Sequence, residues 1–194
     1  MRYIIVIFSI ILVSLNIISC SIDDLVDKAT GRRSASSSSD ESSGSYQLAT
    51  HDYANGVVTD SSGNIYVTGG TKGGLDGNTS EGNTDLFLLK YNSSGTKQWT
   101  KQFGSSGRDS ANAIAIDSSG NLYLAGITYG GLDLHTNSGA NDFFVVKYNS
   151  SGTRQWTQQL GTPSTEAANA VAADSSGNVC LLYTSDAADD LTRV

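Results

Sequence analysis

Ala111-Asn112-Ala113-Ile114-Ala115-Ile116-Asp117-Ser118-Ser119-Gly120-Asn121-Leu122-Tyr123-Leu124-Ala125-Gly126 sets two short apolar runs on either side of a polar turn. The turn recurs at a fixed spacing of 57 residues, as Asp60-Ser61-Ser62-Gly63-Asn64, Asp117–Asn121 and Asp174-Ser175-Ser176-Gly177-Asn178. Tyr66 and Tyr123 keep the same step, as do Trp99 and Trp156. Residues 54–110 laid on 111–167 without a gap agree at 30 of 57 positions, which makes duplication the origin of the pattern. A repeat of this length built from short strand-like runs predicts a stacked or radial β architecture.

Each repeat divides into four β runs. The first is Ala54 to Thr59, with copies at 111–116 and 168–173, and its small residues suit a crowded inner strand. In the turn that follows, Asp and Ser cap backbone donors and Gly supplies positive φ. Ile65-Tyr66-Val67-Thr68 and its copy Leu122-Tyr123-Leu124-Ala125 form the second run, rich in β-branched and aromatic residues. The third, Leu86 to Tyr91 and Phe143 to Tyr148, is almost wholly apolar and predicts a strand covered on both faces. Asn92-Ser93-Ser94-Gly95-Thr96 then turns the chain into the outer run Gln98 to Phe103, where Trp99, Lys101 and Phe103 share one face. An indole there buries enough area to lock one sheet onto the next, and Lys101 can lay its stem flat with the ammonium exposed.

This pattern resembles the SBBP family, the β-propeller repeat of bacterial surface and secreted proteins. The residues that carry the resemblance are 111–126, Asp142 to Gly152, Gln155-Trp156-Thr157 and Gly161, and it covers residues 54–179. It implies an all-β fold, a β-propeller of four-stranded antiparallel blades, here about two blades (54–110 and 111–167) and the start of a third (168–179). The fold itself implies no particular chemistry. Propellers close with about 4–8 blades, so the chain is expected to be a fragment of a longer gene product. Apolar faces around Phe87, Phe144 and Trp156 are expected to be partly uncovered in such a fragment.

The N-terminal segment reads as an address. Arg2 precedes an apolar run from Tyr3 to Ile18, shorter than the roughly 20 residues a transmembrane helix needs and fitting a signal peptide over 1–19. Ile17-Ile18-Ser19-Cys20 resembles the bacterial lipobox, which implies lipidation of Cys20 and partnership with a membrane through that lipid. The expected location is the cell envelope, at the outer membrane or cell surface. Residues 20–49 include the run Ser34 to Ser45 and read as a disordered tether of about 30 Å root-mean-square reach. At the other end the match to the repeat stops after Val179, and residues 180–194 resemble a translated sequencing adapter. That tail is expected to be non-biological, leaving 50–179 as the repeat domain.

Setting aside Cys20 and Cys180, the repeats hold no cysteine, so neither disulfides nor thiolate metal sites are expected. The net charge is −7 with no basic cluster in the sequence, which argues against nucleic acid as a partner. Residues shared between copies maintain the fold, so chemistry is sought where the copies differ. The longest loop, 72–84 and 129–141, opens alike and then diverges. Its candidate ligand-contacting residues are Lys72, Asp76, Glu81, Tyr129, Asp133 and His135. His135 has no second histidine or nucleophile to form a triad, and the single Asp of each turn reads as a hairpin cap rather than a calcium ligand. Gly73-Gly74 lacks the context of a phosphate loop. No catalytic residue, metal or cofactor is assigned. The leading functional reading is a lipid-anchored binding or scaffold module for a protein or glycan ligand. The alternative is a propeller hydrolase or lyase whose catalytic residues lie in blades missing from the fragment.

Overall fold

The computed structural model describes residues 51–185, and within them the regular structure is entirely strand. The expected signal peptide 1–19, the expected lipidation site Cys20, the expected tether 20–49 and residues 186–194 of the expected tail lie outside the described residues. The first blade comprises β1 (Asp52–Thr59), β2 (Ile65–Thr71), β3 (Asp85–Tyr91) and β4 (Lys97–Phe103) in the order β1-β2-β3-β4. The second comprises β5 (Asp109–Ile116), β6 (Leu122–Thr128), β7 (Asp142–Tyr148) and β8 (Arg154–Leu160) in the matching order. A third sheet pairs β9 (Ala167–Ala173) with β10 (Val179–Thr184). All neighbours are antiparallel. The described residues thus form a partial β-propeller of two complete blades and the two inner strands of another.

Strand boundaries extend the expected runs. The first strand of each full blade begins two residues earlier, at Asp52 and Asp109, and β2 runs on to Thr71. These added residues carry side chains that tie the strand ends together: the Thr71 hydroxyl donates to Asp52 and the Thr128 hydroxyl to Asp109. Residues 180–184 complete β10 even though their sequence leaves the repeat at Cys180.

The first strand carries the same β-bulge in all three copies. Its extra residue is Asn55, Asn112 and Asn169 in turn. A bulge frees a residue from the ladder and re-aims its side chain. Here Asn55 Nδ2 donates to the Ala111 carbonyl at 2.9 Å, and Asn112 Nδ2 to the Ala168 carbonyl at 3.0 Å, so each bulge fastens its blade to the next. Small residues permit that approach. A Cβ added at Gly56 would stand 3.0 Å from Ile114 Cγ2 on the adjacent inner strand.

The main core lies between the two full blades. Leu86, Leu88 and Phe103 of the first meet Ile114, Leu122, Leu124 and Leu132 of the second in one buried cluster. Alternation along β3 sends Phe87, Leu89 and Tyr91 to the opposite face, where Leu75 folds over them. Phe87 and Phe144 are therefore buried, contrary to the expectation of partly uncovered faces around them, because β3 and β7 are interior strands covered on both sides. The exposed large apolar side chains are instead Val57 on the inner strand β1, Tyr129 and Leu134 in the β6–β7 loop, Leu160 on the outer strand, and Leu182 and Tyr183 in the last sheet.

Trp99 and Trp156 take equivalent places, with Tyr66–Trp99 and Tyr123–Trp156 ring centroids 6.1 and 6.2 Å apart. Both indoles are half-buried rather than sunk in the core, since they sit on the outermost strand of each blade. Trp99 still links the blades: its ring carbons lie 2.9–3.1 Å from where a Cβ on Gly152 would stand, in the β7–β8 turn of the neighbouring blade.

Candidate functional site

Alternating strand direction puts the β1–β2 and β3–β4 turns at one end of the blades. The long β2–β3 and β6–β7 loops and the inter-blade connections 104–108 and 161–166 emerge at the other. The turn end is uniform. Asp60 Oδ1 accepts from the Ser62 and Asn64 backbone N–H at 2.9 Å, while Oδ2 accepts from the Asn64 amide and the Tyr66 hydroxyl. Asp117 repeats this set with Ser119, Asn121 and Tyr123, and Asp174 repeats its turn contacts. The Asn64 amide foremost holds the Asp60 carboxyl below its ordinary value. For Asp117 burial works upward, and the hydrogen bonds from Asn121 and Tyr123 outweigh it. Both oxygens of each aspartate are thus taken by the turn, as a hairpin cap requires.

The loop end is where the copies diverge, and its loops are folded down rather than free. Gln102 Oε1 accepts from Leu75 N–H at 2.8 Å, while its Nε2 donates to the Gly73 carbonyl at 2.9 Å and to Asp85 Oδ2 at 2.6 Å. Gln159 makes the same three bonds to Leu132, Gly130 and Asp142 in the second blade. One outer-strand glutamine therefore seats each loop, and Leu75 and Leu132 are buried beneath it. These glutamines were not among the sequence-derived candidates. Their identity in both copies marked them as part of the fold, but their partners are distant in the chain.

Asp76 and Asp133 serve the same seating. Each has positive φ, near 49° and 48°, and its carboxylate reaches the outer strand. Asp76 takes Lys97 and Thr100; Asp133 takes Arg154 at 2.7 Å and Thr157. Burial pushes the Asp76 carboxyl up, but the Lys97 ammonium and the Thr100 hydroxyl more than offset it and leave it below the ordinary value. Arg154 also lies over the Phe103 ring, 3.7 Å from its centroid, so the Asp133–Arg154 pair reaches across to the first blade.

Beside that contact an inter-blade groove of about 800 Å³ is lined by Glu81, Lys101, Phe103, Asp133, Tyr148 and Arg154, among others. Glu81 from the first blade and Asp133 from the second thus face one space. Burial pushes the Tyr148 phenol up to about 12. His135 turns inward to its own loop, with Nδ1 2.7 Å from the Leu132 carbonyl. Tyr129 stands exposed beside the 104–108 connection, its N–H donating to the Arg108 carbonyl at 2.9 Å. Lys72 lies apart from these, in a second cleft with His51, Tyr53, Asn83, Thr84 and Arg108. Among the described residues no three His, Cys, Asp or Glu side chains come together in a way that could hold a metal ion.

A buried polar layer underlies this end. Asp109 accepts from Ser105 N–H at 2.6 Å, from the Ser105 hydroxyl at 2.9 Å and from Thr128. Burial pushes its carboxyl above the ordinary value, the hydrogen bonds from Thr128 and Ser105 work downward, and the nearby Asp85 charge adds to the rise. In the next repeat Glu166 fills the same position and accepts from Thr162.

Comparison with known proteins agrees with this geometry. The Regulatory protein FlaEY of Caulobacter vibrioides is 30% identical over 134 residues, which span 62% of this chain and 14% of that relative's length. Two segments of the chain, residues 47–76 and 98–133, match the family SBBP, described as a beta-propeller repeat.

Proposed function

We propose that the chain is a lipid-anchored cell-envelope module that binds a protein or glycan ligand through the loop-bearing end of its blades. One observation carries the reading: the copies diverge where the long loops emerge, while the opposite end repeats a single capped turn. A surface that only stacks blades has no need of such divergence. Divergent loops on a rigid scaffold are a common arrangement for recognition. The apolar run ending in Ile17-Ile18-Ser19-Cys20 supports lipidation of Cys20 and export to the outer membrane or cell surface. A relative named as a regulatory protein is compatible with a module that recognises rather than transforms.

The test has two arms on the full chain. Wild type should take up a fatty-acid label and sediment with membranes, whereas Cys20→Ala should remain unlabelled and soluble. Label or membrane retention in Cys20→Ala overturns the anchor. The chain is then measured against immobilised envelope glycan and envelope protein fractions. Replacing Glu81, Tyr129 and His135 together by Ala should weaken the binding about tenfold or more. Unchanged affinity overturns the assignment of these three loop residues, because none of them seats the loops through its side chain onto the outer strand.

A further inference from the structure

Seven Lys and Arg residues lie within residues 51–185. Five are engaged by a ring or a carboxylate. Lys90 and Lys147 each stand 5.1 Å from the centroid of Tyr66 and Tyr123, and Lys101 stands 6.0 Å from that of Trp99. Lys97 and Arg154 hold Asp76 and Asp133. The two that remain, Lys72 and Arg108, have no carboxylate partner among the described residues, and they line the same cleft of about 410 Å³. Among the described residues these two cations, engaged by neither a carboxylate nor a ring face, stand together at one place.

The walls of the cleft are built for polar contact. Tyr53 lies across Gly70, so closely that a Cβ there would stand 2.6 Å from the ring carbon bearing the hydroxyl. That placement brings the Tyr53 hydroxyl to 3.5 Å from Arg108 Nη2. Thr84 is 1% exposed, and its hydroxyl has no hydrogen-bond partner although the residue lines the cleft. A buried hydroxyl without a partner is unfavourable, and a ligand that bonds to it recovers that loss.

The second blade lacks every part of this. Lys72, Arg108 and Tyr53 align with Tyr129, Thr165 and Ser110, and Gly70 aligns with Ile127. The cross-strand pair Tyr53–Gly70 becomes Ser110–Ile127, with the large residue moved to the other strand. Thr84 aligns with Asn141, whose amide donates to the Glu166 carbonyl of the following repeat and so is satisfied within the fold. The cleft is therefore a departure of one blade, in which charge, ring and free hydroxyl change together.

We propose that this cleft binds an acidic sugar residue, a pyranose bearing a carboxylate. Arg108 and Lys72 take the carboxylate, Tyr53 offers a ring against the sugar, and Asn83 and Thr84 bond to its hydroxyls. Arg suits carboxylate recognition through its planar fork. The volume admits one sugar unit of a longer chain rather than a macromolecular surface. This rests on the binding-module reading and names the ligand class at a part of the same end.

The experiment is calorimetric titration of the full chain in detergent micelles with trigalacturonate, maltotriose and sodium phosphate. Trigalacturonate should bind saturably and more weakly as salt is raised, and Arg108→Ala and Lys72→Ala should each reduce its affinity about tenfold. Thr84→Val should also weaken it, Thr84→Ser should restore it, and maltotriose should not bind. The Glu81→Ala, His135→Ala double variant, whose two positions lie outside the cleft lining, should keep full trigalacturonate affinity. No saturable binding of trigalacturonate, or binding indifferent to Arg108→Ala and Lys72→Ala, overturns the proposal. Phosphate binding through these residues without trigalacturonate binding likewise overturns the sugar assignment. Envelope-fraction binding that persists in either case leaves the wider function standing, so the two failures are distinct.

Discussion

At the scale of single residues, the aspartate of each tight turn does the most local work. Asp117 holds two backbone N–H groups and two side chains, and Asn92 and Asn149 hold their turns through the same pair of backbone donors two and four residues ahead. Asp117→Ala should therefore cost about 1–2 kcal/mol, with Asp117→Asn losing less because the backbone bonds survive. The folded carboxyl sits below its ordinary value, so its stabilising contribution is present above the unfolded pKa of about 3.9 and is lost as pH falls through the lower folded value. Denaturant melts across that range should show the stability gap between wild type and Asp117→Asn narrowing as pH falls. A gap that widens would reverse the sign assigned to this group.

Glycine supplies a second comparison at this scale. Gly95 and Gly152 occupy equivalent turns with the same φ of 78°, but only Gly152 faces an indole, that of Trp99. Gly95→Ala isolates backbone strain of about 1–3 kcal/mol. Gly152→Ala should cost measurably more in the same melts, because the added methyl collides with Trp99 across the blade boundary. Equal losses would mean that the indole gives way freely and does not lock the blades.

At the scale of elements, periodicity made the strands legible and tertiary partners made the rest illegible. Alternation and turn residues in 111–126 located β5, its turn and β6, and the nearly unbroken apolar run of β3 announced an interior strand. The extra residue at Asn55 and Asn112 gave no local signal, since a bulge is visible only once the register with the neighbouring strand is known. Gln102 and Gln159 likewise show no partner in their own strand's sequence; only the folded loop supplies it. Of the loop candidates, Asp76 and Asp133 resolve into structural pins, while Thr84 and Arg108 escaped notice because their meaning lies in which side chains stand beside them. The bulge yields a direct test. Asn112→Ala removes an inter-blade bond and should cost about 1–2 kcal/mol, whereas Asn169→Ala, exposed at the equivalent bulge, should cost clearly less. Matching losses in thermal or chemical melts would show that the bulge asparagine acts within its own blade.

At the scale of the whole molecule, inner strands of small residues, an inter-blade aliphatic core and asparagine staples repeat from blade to blade and set the blades side by side. Repeat proteins of this kind distribute stability over units and nearest-neighbour interfaces. That regularity leaves one end free to vary, and there the long loops, the inter-blade groove and the unpaired cations are found. The claim that this end meets the ligand is tested most directly by hydrogen exchange on the full chain with and without a bound envelope fraction. The account predicts slowed exchange over 72–84, 104–108 and 129–141, with the turns at 60–64 and 117–121 unchanged. Protection confined to those turns, or spread evenly over both ends, would contradict it.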